Sequence, residues 1–205
     1  MTATRARKAR GAASRFPQAE AIARGPFQSA NHRHRCEIRM SLKIVSFLAI
    51  ILTALALVPS GAHLLEMPNK VSLAPDAYFI AQQLYAGWWL TGLLHMAALV
   101  AVATLAALLR HDRYRFALAV FAAAMLVAFF AIFFTWTFPA NQATANWTRI
   151  PDDWEQLRRV WEVSHAVNAI VLFLALCTVV AAAVDFRSGR ISVPPAGEVT
   201  HAHPG

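Results

Sequence analysis

FALAVFAAAMLVAFFAIFF, residues 116–134, is a run of 19 residues without one polar side chain. As a helix rising 1.5 Å per residue it is about 28 Å long, close to the roughly 30 Å hydrocarbon core of a bilayer. A helix that is apolar on every side has no exposed face in a small water-soluble domain, so this stretch predicts a membrane span. Composition agrees. The 205 residues are 58% hydrophobic and 15% charged, with mean hydropathy +0.44, against about 45–50% and 25% for soluble domains.

Three further spans flank this one. The first runs from about Ile44 to His63, with only Ser46 and Thr53 as polar interruptions before Pro59, where a break is expected. Lys43, the apolar core, Pro59 and Ser60-Gly61-Ala62 also fit a secretory signal cleaved after Ala62. The second span, about 77–110, opens after Pro75 and, as one helix of about 51 Å, overshoots the bilayer core. The third is taken as 116–138. The fourth, about 152–184, starts at Asp152, whose carboxylate can cap the helix with Glu155 three positions on.

The net charge of +8 sits mainly in a tail: residues 1–39 hold nine of the 19 Lys and Arg and two of the 11 Asp and Glu. The remaining chain is nearly balanced, which excludes a basic nucleic-acid-binding face. Residues 1–39 are expected to be disordered, as a transit peptide, a lipid-binding basic arm or a segment upstream of a true start at Met40. The domain is then 40–186, followed by a polar tail, 187–205. Arg110, Arg113, Arg115, Arg187 and Arg190 fall on one side of the spans, whereas the 139–157 segment offsets Arg149 with Asp152, Asp153 and Glu155. By the positive-inside rule the reading is an all-α, membrane-embedded, up-down four-helix bundle with both termini cytoplasmic. Membrane lipid is its first partner. Small-residue runs such as Ala101…Ala107 and Ala181-Ala182-Ala183 would permit a homo-oligomer. Cys36 and Cys177 are too far apart in the pattern to suggest a pair, and Cys177 reads as a small buried hydrophobe.

Polar chemistry gathers at the outer ends of the spans: His63 and Glu66, then Gln82, Gln83, Tyr85, Trp88 and Trp89, then Asn141, then Trp154, Arg158, Trp161, Glu162, His165 and Asn168. On a helix, Trp154, Arg158, Trp161, His165 and Asn168 share a face within about 80°, with Glu162 at its edge. Aromatic side chains also collect at membrane interfaces for solvation reasons alone. Ionisable groups in a spanning helix are costly and mark a bundle interior or a watery cavity. His165, oriented by Glu162, would serve as a general base, and Arg158 would stabilise an oxyanion. His63, Glu66, Tyr85, Trp89, Asn141 and Trp161 would bind an aromatic small molecule. No cofactor is required by this chemistry. The Glu-x-x-His spacing of Glu162/His165, mirrored in His63/Glu66, leaves a metal held by those four as an alternative, and a haem between His63 and His165 as another.

Several stretches carry a resemblance: His63-Leu-Leu-Glu66-Met-Pro-Asn-Lys70, Tyr85-Ala-Gly87-Trp88, Phe138-Pro-Ala-Asn141-Gln-Ala-Thr144-Ala-Asn-Trp147, and Trp154…Leu157-Arg158…Trp161-Glu162…His165-Ala. Over residues 40–186 they resemble the anthrone oxygenase-like family of small integral membrane proteins, mostly uncharacterised in bacteria. The resemblance implies four membrane helices in a bacterial inner membrane, importance of Asn141, Trp161 and His165, and cofactor-independent oxidation of a flat phenolic or quinone-like substrate by oxygen. The alternative class is a non-catalytic membrane protein binding a lipid, a quinone or a partner helix.

Overall fold

The computed structural model describes residues 26–184, with side chains from residue 37 onward. The expected tails at 1–25 and 187–205 lie outside the described residues. Two compact units divide after Lys43, and the polar chemistry lies in the second, residues 44–205. Among the described residues all regular structure is helical. The helices are α1 (Pro26–Lys70), α2 (Pro75–Gln82), α3 (Thr91–Leu109), α4 (Arg113–Ile132), α5 (Phe138–Ala143) and α6 (Trp154–Ala183). Short 3₁₀ turns at Gln83–Tyr85 and Trp88–Leu90 join α2 to α3, and a π-turn at Phe133–Thr137 joins α4 to α5.

Four helical stretches are long and apolar enough to cross a membrane: Glu37–Lys70, Trp88–Leu109, Arg113–Ala143 and Trp154–Ala183, with mean hydropathy of 2.2–2.7 in their most apolar windows. The protein is therefore an all-α protein with the build of an integral membrane protein. The buried seam of α1 is small or polar: Ser46, Ala49, Thr53, Ala56, Ser60 and His63, at alternating spacings of three and four. On α3 the seam is His95, Ala98, Val102, Leu105 and Leu109, and on α4 Ala119, Ala122, Leu126 and Phe129. Bulky side chains such as Phe47, Val58, Leu65, Leu93 and Val127 point outward. Lipid is as apolar as leucine, so the packing rests on close approach at small residues such as Ala49, Ala56, Ala98, Ala119 and Ala122 and on the fit of the large buried side chains between them. Helices α4 and α6 run antiparallel. At one end Arg115 donates from Nε to Ala182 O (2.7 Å) and from Nη2 to Ala183 O (3.2 Å), and at the other Thr137 and Ser164 share a 2.7 Å hydroxyl contact.

Several boundaries depart from expectation. Helix α1 starts at Pro26, so residues 26–39 join a helix instead of a structureless tail; Pro suits a first turn, and extending an existing helix avoids nucleation. Pro59 does not end the span. Both Pro59 and Pro68 sit inside α1, which continues to Lys70, as neighbouring helices can re-satisfy the backbone groups a proline frees. The second span is not one helix from 77 to 110. It breaks at Ala86-Gly87, where Gly87 takes φ +86°. A Cβ there meets nothing within 4 Å, so Gly87→Ala is expected to cost only the left-handed backbone penalty, about 1–2 kcal/mol, measurable by thermal melting in detergent. The third span widens at 133–137 because Pro139 offers no N–H to the preceding turn and its ring crowds the carbonyl four residues back. Helix α6 is capped by Asp153, without a side-chain bond, and not by Asp152 with Glu155. Cys177 is exposed and free, since Leu172, Ala175 and Val179 occupy the seam around it.

Candidate functional site

The site begins with the two proline- and glycine-shaped interruptions. The break at Gly87 and the π-turn before Pro139 open the helix wall, and between them lies a cavity of about 700 Å³. That volume falls within the usual range for small-molecule sites. Of the expected site residues, His63, Tyr85, Trp89, Asn141, Trp161 and His165 line it. Among the described residues no Asp, Glu, Lys or Arg does so.

Two imidazoles face each other in its wall. The rings of His63 and His165 lie edge to face with centroids 4.3 Å apart, and Trp161 packs against both, at 4.8 Å and 3.9 Å. The Nδ1 of His165 is 2.9 Å from Trp161 O, one helical turn back. A carbonyl oxygen only accepts, so Nδ1 carries the proton and Nε2 presents its lone pair. His165 is thereby set as a base. The device recurs on α3, where His95 Nδ1 lies 2.7 Å from Thr91 O and the ring stacks on Phe129 at 4.1 Å.

Glu162 does not orient His165. Its carboxylate is 1% exposed, accepts from Tyr78 Oη (2.9 Å) and pairs with Lys70 Nζ (3.2 Å). Lys70 in turn donates to Tyr85 Oη (3.0 Å), and its ammonium lies over the Tyr85 and Trp161 rings at 4.7 and 4.8 Å. Tyr85 donates to Glu66, which is half-exposed and also 3.8 Å from Lys70. Burial, and then the neighbouring Glu162 for Tyr78 or the Glu66 hydrogen bond for Tyr85, holds both phenols above the usual tyrosine range. They therefore remain donors at neutral pH. Glu162 and Glu66 are thus committed to a Lys–Tyr network beside the cavity and do not line it. Three residues separate Glu162 from His165, about 300° around the helix, yet that 60° offset is enough to send the carboxylate toward α1 and α2.

Arg158 is also placed elsewhere. It donates from Nη1 to Leu73 O (2.9 Å) and lies over the Trp154 and Tyr78 rings at 4.5 and 5.5 Å. It pins the α1–α2 connection and borders a separate, smaller pocket. Trp89 is 76% exposed at the rim. Its neighbour Trp88 instead packs on His63 (5.4 Å) and Tyr85 (5.1 Å). The expectation of one unbroken helix had faced Trp89 inward; the turn at Gly87 changes the register.

Asn141 joins two indoles. Its Oδ1 accepts from Trp147 Nε1 and from Trp161 Nε1, both at 2.9 Å. Trp147 reaches that oxygen through three consecutive left-handed residues, Ala145, Asn146 and Trp147 at φ 49°, 56° and 62°. Thr144 Oγ1 accepts from Trp147 N, and Asn141 O from Asn146 N, holding this strained turn. Tyr78, Phe79 and Ala140 complete the cluster around the two indoles. Asn141→Leu strands two buried donors and is expected to cost about 2–3 kcal/mol, whereas Asn141→Asp, which keeps an acceptor, costs less; thermal melting compares them.

The metal and haem alternatives do not match this arrangement. Among the described residues no three His, Cys, Asp or Glu side chains converge on one point; His63 and His165 meet in the cavity while Glu66 and Glu162 turn to Lys70. Two imidazoles on opposite faces of one iron need ring centroids about 6 Å apart, given metal–nitrogen bonds near 2.0 Å; the observed rings are 4.3 Å apart and edge to face.

Sequence reasoning gave no role to Lys70, quoted only within the resemblance, or to Tyr78, which lies in the short helix α2. Gln82, His95 and Asn168 also line the cavity. Their signal was the rarity of polar side chains in spanning segments, which applied to each. The architecture is all-helical, with four helices long and apolar enough to cross a membrane and, among the described residues, an uncharged, aromatic and histidine-lined cavity. Compared with known proteins, the chain matches no family profile, no curated protein and no solved structure.

Proposed function

We propose that this protein is a membrane-embedded oxidoreductase, similar to cofactor-independent anthrone oxygenases, that oxidises a flat phenolic or quinone-like molecule with oxygen. The observation that carries the reading is His165: its Nδ1 is tied to a backbone carbonyl, so its Nε2 is a base inside an uncharged aromatic cavity. Trp161, Tyr85 and Trp88 provide ring faces against which a flat substrate stacks. His165 takes a proton from the benzylic carbon or from the hydroxyl of its enol form. His63 donates a ring N–H to the resulting oxyanion, in the role that Arg158 was expected to fill. The electron-rich anion passes electrons to molecular oxygen. One oxygen atom is kept as a new carbonyl in place of the methylene hydrogens, and the other leaves as water.

The bundle is read as up-down with both termini cytoplasmic, in a bacterial inner membrane. The positive-inside pattern and the antiparallel bonding of α4 with α6 support this. Membrane lipid surrounds it, and the small residues Ala103 and Ala107, exposed on α3, suit a homo-oligomer. The non-catalytic reading, a lipid, quinone or partner-helix binder, uses the same cavity. Oxygen uptake by the purified protein separates the two. With anthrone-type substrates the enzyme reading expects saturable oxygen consumption yielding the quinone and water; saturable binding with no uptake establishes the alternative.

A further inference from the structure

The smaller pocket, of about 180 Å³, lies between the end of α1 and the first turns of α6. Met67 and Val71 line one side; the other carries Glu155, Arg158, Arg159 and Glu162 beside Val163. Glu162, 1% exposed, is the most deeply buried of these and forms the floor. Its Oε1 takes the contacts from Tyr78 (2.9 Å) and Lys70 (3.2 Å), while its Oε2 has no partner among the described residues. A buried carboxylate oxygen left unpaired is unfavourable until a donor reaches it. Lys70 does not exhaust the demand, because its one ammonium lies between two carboxylates, Glu66 at 3.8 Å and Glu162 at 3.2 Å. The floor calls for a further cationic donor.

The rim calls for the opposite sign. Arg158 is anchored through Nη1 to Leu73 O, and Arg159 is exposed with no ion pair among the described residues. Two carboxylates and two guanidinium groups leave the lining without net charge. A simple cation or anion satisfies one pair only, whereas a ligand bearing both signs satisfies both. The volume is below the roughly 300–1,000 Å³ of drug-sized sites, so it suits a headgroup and not a whole lipid.

The surface beside the pocket supplies the rest of the ligand. Glu155, Arg159, Val163, Val167, Ile170 and Leu174 follow one another on α6 at spacings of four and three, so they share a face, and all are exposed. The first two are charged and the others apolar. Leu64, exposed on α1, continues the apolar side from Met67. A helix face that turns from charged to apolar marks the level where headgroups give way to acyl chains. The pocket sits at that change.

We propose that this pocket holds the headgroup of a zwitterionic phospholipid with a primary ammonium, which donates to Glu162 Oε2 while the phosphate faces Arg158 and Arg159. The acyl chains follow the apolar face of α6 beside Leu64 and Met67. A quaternary ammonium has no N–H and leaves Oε2 unpaired. This site is separate from the oxidation chemistry proposed above.

Native mass spectrometry of the full, delipidated chain tests the assignment, on titration with phosphatidylethanolamine, phosphatidylcholine and phosphatidylglycerol of one acyl composition. The first phosphatidylethanolamine is expected to bind at least about ten-fold more tightly than phosphatidylcholine, as suits one hydrogen bond to a charged group. Glu162→Gln keeps an oxygen toward Tyr78 and turns its amide N–H groups to the pocket, so the ratio should fall to about three-fold or less. Arg159→Gln should weaken both lipids about three-fold and keep their ratio. Should Glu162→Gln not fold, the double variant with Lys70→Met, which leaves no buried charge, reads the same ratio. Equal binding of the ethanolamine and choline lipids overturns the ammonium site. Phosphatidylglycerol binding as tightly as phosphatidylethanolamine overturns the zwitterion and leaves an anionic-lipid contact at the two arginines. A ratio unchanged in Glu162→Gln overturns the assignment to this pocket. Glycerophosphoethanolamine, the same headgroup without acyl chains, should displace the lipid only at a concentration at least about a hundred-fold higher, since it gives up the apolar face. Displacement at equal concentration makes the ligand a soluble one and overturns the lipid. No arm uses oxygen or an aromatic substrate, so failure here leaves the oxidoreductase reading standing.

Discussion

Lys70→Met is expected to lower the stability of the detergent-solubilised protein by about 3–5 kcal/mol, the usual consequence of removing one partner of a buried ion pair. Glu162 is 1% exposed, its Oε1 takes both the Lys70 and the Tyr78 contacts, and its Oε2 has no hydrogen-bond partner. Without the ammonium, the carboxylate either stays charged in a low-dielectric site or takes up a proton. The loss spreads further, because Lys70 also donates to Tyr85 and lies over the Tyr85 and Trp161 rings. Adding Glu162→Gln to Lys70→Met should recover a large part of the lost stability, because the amide oxygen still accepts from Tyr78 and no buried charge remains. A thermal-melting double-mutant cycle reads this directly. Additive losses would show that the two side chains are not coupled, and that α1 is held to α6 by packing alone.

This pair also shows how far a sequence reading reaches. The four candidate spans follow from runs such as 116–134, since a helix that is apolar all round has no face for water in a chain of this size. Where spans end is decided by partners. Lys70 has no role until Glu162 and Tyr85 are seen beside it, and Pro59 reads as a stop until the seam from Ser46 to His63 is seen to run past it. That seam was itself invisible to a hydrophobicity pattern, because its inward residues are smaller and more polar than the outward ones. Gly87 is the clearest case at the site. One left-handed residue breaks the expected helix, moves Trp88 in and leaves Trp89 on the rim. His63, Tyr85, Trp161 and His165 were legible as a group because polar and amphipathic residues at one depth on three helices have few other places to go. Arg158 and Glu162 were misplaced because sharing a helix face approximately with His165 does not make them share its neighbours. A 60° offset on α6 is the difference between the cavity and the Lys70 network.

His165→Ala is expected to lower kcat for oxygen uptake by about 10²–10⁴-fold, the span usual for loss of a positioned general base. The affinity for unsubstituted anthrone should change far less, because stacking on Trp161, Tyr85 and Trp88 is retained. Proton removal is the step that creates an oxygen-reactive anion, so a loss in kcat without a matching loss in binding is what a base produces. A purely structural His165 would instead weaken binding and stability together. His165→Gln separates these outcomes further: the amide can refill the volume beside His63 and donate to Trp161 O, yet it has no basic nitrogen. It should therefore restore binding and melting temperature and leave turnover low. Arg158→Gln supplies the contrast. Its guanidinium is spent on Leu73 O and on the Trp154 and Tyr78 rings, so stability falls while kcat per folded molecule stays within about two-fold. Should Arg158→Gln lose turnover as severely as His165→Ala, the oxyanion role returns to Arg158, and the α1–α2 connection must move during the reaction to free it. Full activity in His165→Ala would remove the base from the mechanism and leave the cavity as a binding site.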